Sequence, residues 1–411
     1  MSTATPLAAP VVRRAKWGTT VAFVASGFAF ASWASRIPST RDQLGLTTGE
    51  VGLVLLALAS GSVLALPLAG AVIARLGSQR VVQLGSLLLV VAMAGIAAGV
   101  TVGVPAVVVA LFVLGLAYGG WDVAMNVEGA VVEAHLARTV MPRFHAGFSV
   151  GTVGGALVGA LLVELDVSVT AHLAGVAVLV LLVVPLSVRS FVADDSGPTA
   201  SDVAPGDDPG DDAEVAAPSA FAAWREPRTL LVGVFVLAFA FAEGTANDWV
   251  ALAMVEGYGV AESLGVLTFA VFLAAMTVGR WYGSVWLDRW GRVPVVRVLA
   301  GVALVGLVLF VAAPSVPLAV VGAVLWGLGT SLGFPLGMSA AADDPARAPA
   351  RVSVVASVGY VAFLAGPPLI GLLGEVAGLL RALLVVVALL AVALLVSGAV
   401  RPLRPAPRRT S

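Results

Sequence analysis

The chain has 411 residues, of which 59% are hydrophobic and only 11% charged, with a formal net charge of −1. A soluble protein of this length carries about twice that charge fraction, so the composition excludes a soluble globular fold and implies a polytopic membrane protein. There is no cysteine, which removes disulfides and thiolate metal sites; His135, His145 and His172 lack metal-site spacing.

In chain order, the apolar blocks predict twelve membrane helices near 17–38, 49–74, 81–101, 105–128, 144–165, 170–189, 229–250, 262–287, 294–313, 316–340, 351–373 and 377–400. "TTGE" at 47–50 reads as a capping box, with Thr47 capping and Glu50 reaching back. Pro105 and Pro294 suit the first turns of their helices. The apolar run after "VVRRAKWG" is too long for a signal-peptide core and is expected to stay as the first helix.

Basic residues set the orientation. With the N-terminus inside, the cytoplasmic segments hold Arg13, Arg14, Lys16, Arg75, Arg80, Arg138, Arg143, Arg289, Arg292, Arg297, Arg347, Arg351 and the arginines of the tail, against only Arg36, Arg41 and Arg381 outside. That bias places both termini in the cytoplasm. Residues 190–228 are rich in Pro, Gly, Ser and Asp and are expected to be a disordered acidic cytoplasmic linker. Eight of the 24 acidic residues lie between Asp194 and Glu214, which leaves 16 against 23 basic residues, so the near-zero net charge hides a basic membrane body. The domains expected are a six-helix bundle over 1–189, the linker, and a second bundle with a short basic tail over 229–411.

The halves resemble each other. "GFAFASW" (27–33) matches "AFAFAEG" (238–244), "GAVIARLGSQR" (70–80) matches "SVWLDRWGRVPVVR" (284–297), and "LGLAYGG" (114–120) lies opposite "WGLGTSL" (326–332). Such repetition marks a transporter whose halves rock about a midplane site. Together with the twelve helices and the long middle loop, "LDRWGR" resembles the major facilitator superfamily, whose loop signature reads G-x-x-x-D-R-x-G-R. Asp288, Arg289, Gly291 and Arg292 match it, with Ser284 at the first glycine; in the first half Gly70, Arg75, Gly77 and Arg80 fit loosely and Ala74 replaces the aspartate. The resemblance implies an all-α membrane protein with two pseudo-symmetric six-helix bundles, and a cytoplasmic latch formed by Arg75, Asp288, Arg289, Gly291 and Arg292. "WDVAMNVEG" also resembles the fourth helix of fucose-permease-like proton symporters, and "ASWASRIPSTRDQLGL" and "VEGAVVE" resemble a bacterial set near that branch. No proline interrupts "GFSVGTVGGALVGALL", unlike the fifth helix of drug–proton antiporters.

A carboxylate at mid-helix costs roughly 2.5–3.5 kcal/mol on insertion scales, so each one needs a reason. At 100° per residue Tyr118, Asp122, Asn126 and Glu133 share one stripe, while Glu128 points elsewhere and is expected to be a solvated helix end. Gly119, Gly120 and Gly129 leave backbone open to close approach. Glu243 and Asn247 repeat the acid-to-asparagine spacing, with Asp248 about 140° away from Glu243. By the resemblance, the first, fourth, seventh and tenth helices line a central cavity, and Asp122 and Glu243 face it as proton-coupling groups. The competing reading makes them structural acids that join helices. The substrate-binding candidates are Tyr118, Trp121, Asn126, Asn247, Asp248, Arg280, Trp326 and Thr330. Arg280 could pair with a carboxylate, bind an anionic group or snorkel to the surface.

No G-x-x-x-x-G-K-S/T loop is present, so ATP drive by this chain alone is excluded; no nucleophile–base–acid set converges, and neither enzyme activity nor a metal or other cofactor is expected. The reading is a secondary transporter in the cell membrane, a monomer in the lipid bilayer without nucleic-acid partners, that moves a small polar, possibly sugar-like, solute by proton symport. The alternatives are proton-driven efflux of an amphipathic compound and a transporter-like solute receptor.

Overall fold

The computed structural model describes residues 9–136, 140–192, 223–344 and 347–403, and these are almost wholly helical. The elements are α1 (Ala9–Ala34), α2 (Ile37–Leu44), α3 (Thr48–Val102), α4 (Val104–Leu136), α5 (Met141–Glu164) and α6 (Val169–Ser187). After the central gap follow α7 (Pro227–Tyr258), α8 (Glu262–Trp290), α9 (Arg292–Ala312), α10 (Val316–Thr330), α11 (Gly333–Ala341), α12 (Ala348–Ala377), α13 (Leu379–Ala382) and α14 (Leu384–Val396). Among the described residues ten helical stretches are long and apolar enough to cross a bilayer, with α3 counted once and α1 not counted.

The expected second and third helices are the two arms of α3, which meet at a kink without a loop between them. The kink is Gly77, at φ 78 and ψ 155. Gly291, the matching glycine of the second repeat, holds φ 77 and ψ 169 where α8 gives way to α9. Only glycine enters that region without strain, so the paired glycines of "ARLGSQR" and "DRWGRVP" each supply a one-residue elbow. The capping box at the start of α3 forms as read: Glu50 N–H donates to Thr47 Oγ1 and Thr47 N–H donates to Glu50 Oε2.

The chain divides into two compact units, Met1–Glu214 with Met254–Ala270, and Val215–Ala253 with Val271–Ser411. In the first, α3 packs on α4 and α1 on α5 through backbone contact. A Cβ on Gly115 would strike the Leu58 carbonyl and one on Gly61 the Phe112 carbonyl; Gly27 and Gly151 meet Phe148 and Val24 in the same way. Lipid gives helices no hydrophobic reason to associate, so these close approaches supply the dispersion that holds the bundle. Residues 254–270 join this unit through Glu256, which pairs with Arg41 at 2.6 Å and accepts from Thr48, and through Glu262, which accepts from Ser39.

Two expectations change here. Glu128 is no solvated end: it is fully buried, accepting from Ser78 Oγ at 3.1 Å and from the Val192 N–H at 2.8 Å. Its partners lie far away in sequence, which is why helix position alone misplaced it. The expected linker is also shorter at both edges, because Phe191 and Val192 are buried and Ala223 to Arg228 lead directly into α7; the rest of it, 193–222, lies outside the described residues.

In the second unit α9 and α10 meet through Gly306, Gly322 and Gly329, around Trp326. At the start of α7, Glu226 accepts from Arg351 Nε at 2.6 Å, Thr229 Oγ1 at 2.8 Å and Arg347 Nη1 at 3.3 Å. Asp343 binds both Arg228 at 2.9 Å and Arg292 at 2.6 Å. The Arg351 hydrogen bond is the main reason that the Glu226 carboxyl sits below the usual carboxylate range, against the opposing effect of its burial.

Two predictions follow from these contacts. Gly77→Ala and Gly291→Ala should each cost about 1–3 kcal/mol of stability, the usual cost of a side chain in this backbone region, read as a lowered melting temperature of the purified protein. Glu226, whose folded pKa is depressed, contributes stability that is complete above its unfolded value of about 4.3 and is lost as pH falls through the folded value. The melting temperature of Glu226→Gln should therefore lie below wild type at neutral pH and converge on it in acid; an undiminished gap in acid would contradict this role.

Candidate functional site

Two polar groupings lie inside apolar helices, one in each unit. In the first, Asp122 stands near the middle of α4 with its side chain exposed rather than packed against a neighbouring helix. Asn126 Nδ2 donates to the Asp122 carbonyl at 2.8 Å and approaches Asp122 Oδ1 at 3.4 Å. One turn before, Tyr118 sets its ring edge-on to Phe30 of α1, with centroids 5.9 Å apart, and its buried hydroxyl has no hydrogen-bond partner among the described residues. A phenol, a carboxylate and an amide therefore follow one another along the stripe that the helical spacing predicted. Gly119 abuts Ser62 and Ala65 of α3, and Gly129 abuts Met141 of α5, whereas Gly120 faces open space.

Glu133 departs from this stripe. Its carboxylate accepts from the Val140 and Met141 N–H groups at 2.6 and 2.7 Å, capping α5. The first N–H groups of a helix lack intrahelical partners, and a nearby carboxylate satisfies them. Trp121 is also set apart: it is fully buried and its Cβ lies against Gly85 of α3, about 100° around the helix from Asp122.

In the second unit Glu243 of α7 is bound by Arg280 of α8, Nη2 to Oε1 at 2.8 Å. Arg280 Nε also donates to the Ser331 carbonyl at 3.3 Å. Of the three readings left open for Arg280, the geometry realises the carboxylate pair. Asn247 does not repeat the part of Asn126, since Glu243 takes the arginine as its partner; the Asn247 Oδ1 atom is buried and unpartnered among the described residues. Asp248 is half-buried. Thr330 turns its hydroxyl back on the Trp326 and Gly327 carbonyls of its own helix. Trp326 is enclosed by Phe272 and Phe310, at centroid distances of 5.4 and 5.8 Å. Both are packing positions. Sequence reading missed the Ser331 carbonyl, although the glycine and proline of "GTSLGFP" signal an interrupted helix.

The signature-loop residues occupy one end of α8 and the elbow after it. Asp288 is exposed, with no ion pair among the described residues. Arg289 lies over the Trp290 ring at 5.6 Å, and Arg292 binds Asp343 and Ser339. Arg75 in the first unit is exposed.

Comparison with known proteins places this geometry in a family. The chain matches the Major Facilitator Superfamily over residues 18–343 and 237–411. It is 32% identical over 365 residues to the uncharacterized transporter y4wD of Sinorhizobium fredii (strain NBRC 101917 / NGR234), covering 88% of this chain and 91% of that one. Among solved structures, it is similar to a mutant of the nucleoside transporter NupG, with a TM-score of 0.74 and 14% identity, covering 95% of this chain and 99% of that one. A variant of the E. coli fucose:proton symporter FucP gives a TM-score of 0.59 at 15% identity, over 94% and 98% of the two chains. The matched signature loop, the apolar helices and these likenesses agree: the chain is a multi-pass membrane transporter that belongs to the major facilitator superfamily.

Proposed function

We propose that this protein moves a small polar solute across the cell membrane by alternating access, coupled to proton symport, with Asp122 and Glu243 as its proton-carrying groups. The observation that supports this most is Asp122 itself, an exposed carboxylate near the middle of an apolar helix, flanked on one stripe by Tyr118 and Asn126. A carboxylate kept unpaired in such a place is costly unless it lines a wet path and can take up a proton. The hydrogen-bonding groups for a solute are Tyr118 and Asn126 in the first unit, and Asn247, Asp248 and Arg280 in the second. Trp121, Trp326 and Thr330 back these positions. The solved neighbours named above are a nucleoside transporter and a fucose:proton symporter, cargoes of the same small polar class.

The arginine bias supports cytoplasmic termini, which puts the two glycine elbows on the cytoplasmic side. There Asp288 remains free to make a contact present in only one state of the cycle, with Arg75, Arg289 and Arg292 as the accompanying charges of the latch. The protein works in this reading as a monomer in the bilayer.

Asp122→Asn keeps the size and one acceptor while removing the proton site. Reconstituted with a solute chosen by a thermal-shift screen of sugars, organic acids and nucleosides, this variant should bind and exchange solute. It should fail to accumulate solute against a gradient under an imposed inward proton gradient. Accumulation at the wild-type level by well-folded Asp122→Asn would end the coupling proposal, and accumulation driven only by an outward proton gradient would reverse its direction.

The latch is tested separately by Asp288→Asn, which should express and bind normally but turn over several-fold more slowly in the same vesicles. Unchanged turnover would remove Asp288 from the transport cycle.

A further inference from the structure

The Glu243–Arg280 pair is unevenly anchored. On one side, Arg280 Nε holds the Ser331 carbonyl, a backbone acceptor in the interruption between α10 and α11. Inside a membrane such a carbonyl needs a partner, and α8 is pressed against the break to supply one. A Cβ on Gly279 would collide with the Ser331 side chain and one on Gly283 with Leu332. The guanidinium is therefore fixed through backbone. On the other side it is held by Glu243, whose carboxylate has no other partner among the described residues. Arg280 and Glu243 are 28% and 23% exposed, so the pair is reachable rather than sealed in the core. Among the described residues Arg280 Nη1 makes no hydrogen bond, and neither residue forms an ion pair with any third group. Apart from groups near helix ends, the titratable side chains on the helices packed around the pair are Asp248 on α7, Tyr282 on α8 and Tyr360 on α12, while α10 and α11 carry none.

An arginine held by one carbonyl and one otherwise unpartnered carboxylate, with a donor to spare, has the form of an exchange site. We propose that Arg280 binds an oxyanion carried by the transported solute, a carboxylate or a phosphate, and that Glu243 is the counter-ion which that group displaces. This inference rests on the transporter reading above and narrows its substrate to anionic solutes. Charge balance then fixes the proton count. The resting pair sums to zero, and an added monoanion would leave one uncompensated negative charge in an apolar surrounding, which is strongly unfavourable. A proton taken up on a Glu243 carboxylate oxygen restores neutrality and breaks the ion pair. Arg280 Nη1 and Nη2 are then both free to donate to the oxyanion, the forked geometry that arginine favours. On release the proton leaves Glu243, its carboxylate returns to Nη2, and the anion is expelled. One proton thus accompanies one monoanion, and the step carries no net charge.

The test uses the purified full chain and a fixed panel of probes: lactate, glucuronate, inorganic phosphate and, as neutral control, glucose. Glu243→Gln leaves Arg280 without its counter-ion, and the double variant Glu243→Gln/Arg280→Gln removes both charges without stranding either. Thermal stabilisation by at least one oxyanion should appear in Glu243→Gln at about tenfold lower concentration than in wild type, and should be lost in the double variant. Lactate and glucuronate remain monoanions from ~pH 5.5 to ~pH 8, so wild type should respond to them more at the lower pH, whereas Glu243→Gln should respond equally at both. Preference for phosphate or for the carboxylates identifies the oxyanion. The inference is overturned if no oxyanion acts on Glu243→Gln more strongly than on wild type, or if the double variant responds as Glu243→Gln does. Equal stabilisation of all three proteins by glucose, with no oxyanion effect, overturns the anion site while leaving the transporter reading intact. Failure of that broader reading would instead appear as absent uptake in vesicles.

Discussion

The cost of placing a charge in hydrocarbon shapes this molecule more than any other term. At a few kcal/mol per uncompensated group, the chain can keep an ionisable side chain inside a span only where something offsets the cost. Four solutions appear. Arg280 and Glu243 neutralise each other, and the arginine also satisfies a stray carbonyl. Glu128 is buried against a hydroxyl and a backbone N–H. Glu133 caps the next helix. Asp122 is left open, with only Asn126 beside it, and the half-buried Asp248 of α7 likewise makes no ion pair among the described residues. Glu128 and Glu133 build the framework; Asp122 has no structural task among the described residues, and it carries the functional reading together with the Glu243–Arg280 pair.

Those placements depend in turn on how closely the helices approach. Where Gly115 meets Leu58 and Gly151 meets Val24, the backbones touch with no side chain between them, and Gly279 lies directly against the Ser331 side chain. Close contact of this kind leaves little freedom to slide, so a guanidinium on one helix finds a carbonyl on another reproducibly. Large aromatic residues fill the wider gaps: Trp121 against Gly85, and Trp326 between Phe272 and Phe310. The tryptophans singled out for a solute are thus packing members whose rigidity the polar groups borrow.

Much of this was legible before any coordinates. Hydropathy alone marked the apolar blocks, and ten helical stretches among the described residues are long and apolar enough to span, because a spanning segment must be apolar over a fixed length. The spacing of four brought Asn126 to Asp122, and "TTGE" announced its own cap. Legibility ended where partners are distant in sequence. Glu243 was expected to resemble Asp122 because both are followed by asparagine four residues on, yet its partner sits 37 residues away on another helix. Glu128 finds Val192 across 64 residues, and no local pattern encodes such a meeting. Glu133 illustrates a third limit: its position on the helix was right, but the turn into α5 presented unsatisfied N–H groups that captured it. The junction of the two arms of α3 is tighter than the gap between the expected helices, since Gly77 alone makes the kink.

The two glycine elbows affect how force passes through the chain. A loop of several residues absorbs displacement, because many torsions share it. At Gly77 the two arms of α3 are joined by hardly more than one residue's pair of torsions, and Gly291 repeats that economy between α8 and α9. Twisting or tilting one arm is therefore passed to the other with little slack, as in a cranked lever. The sites least tolerant of an inserted tag, a reporter domain or a flexible spacer should consequently be these two junctions, even though the residues around them are largely exposed.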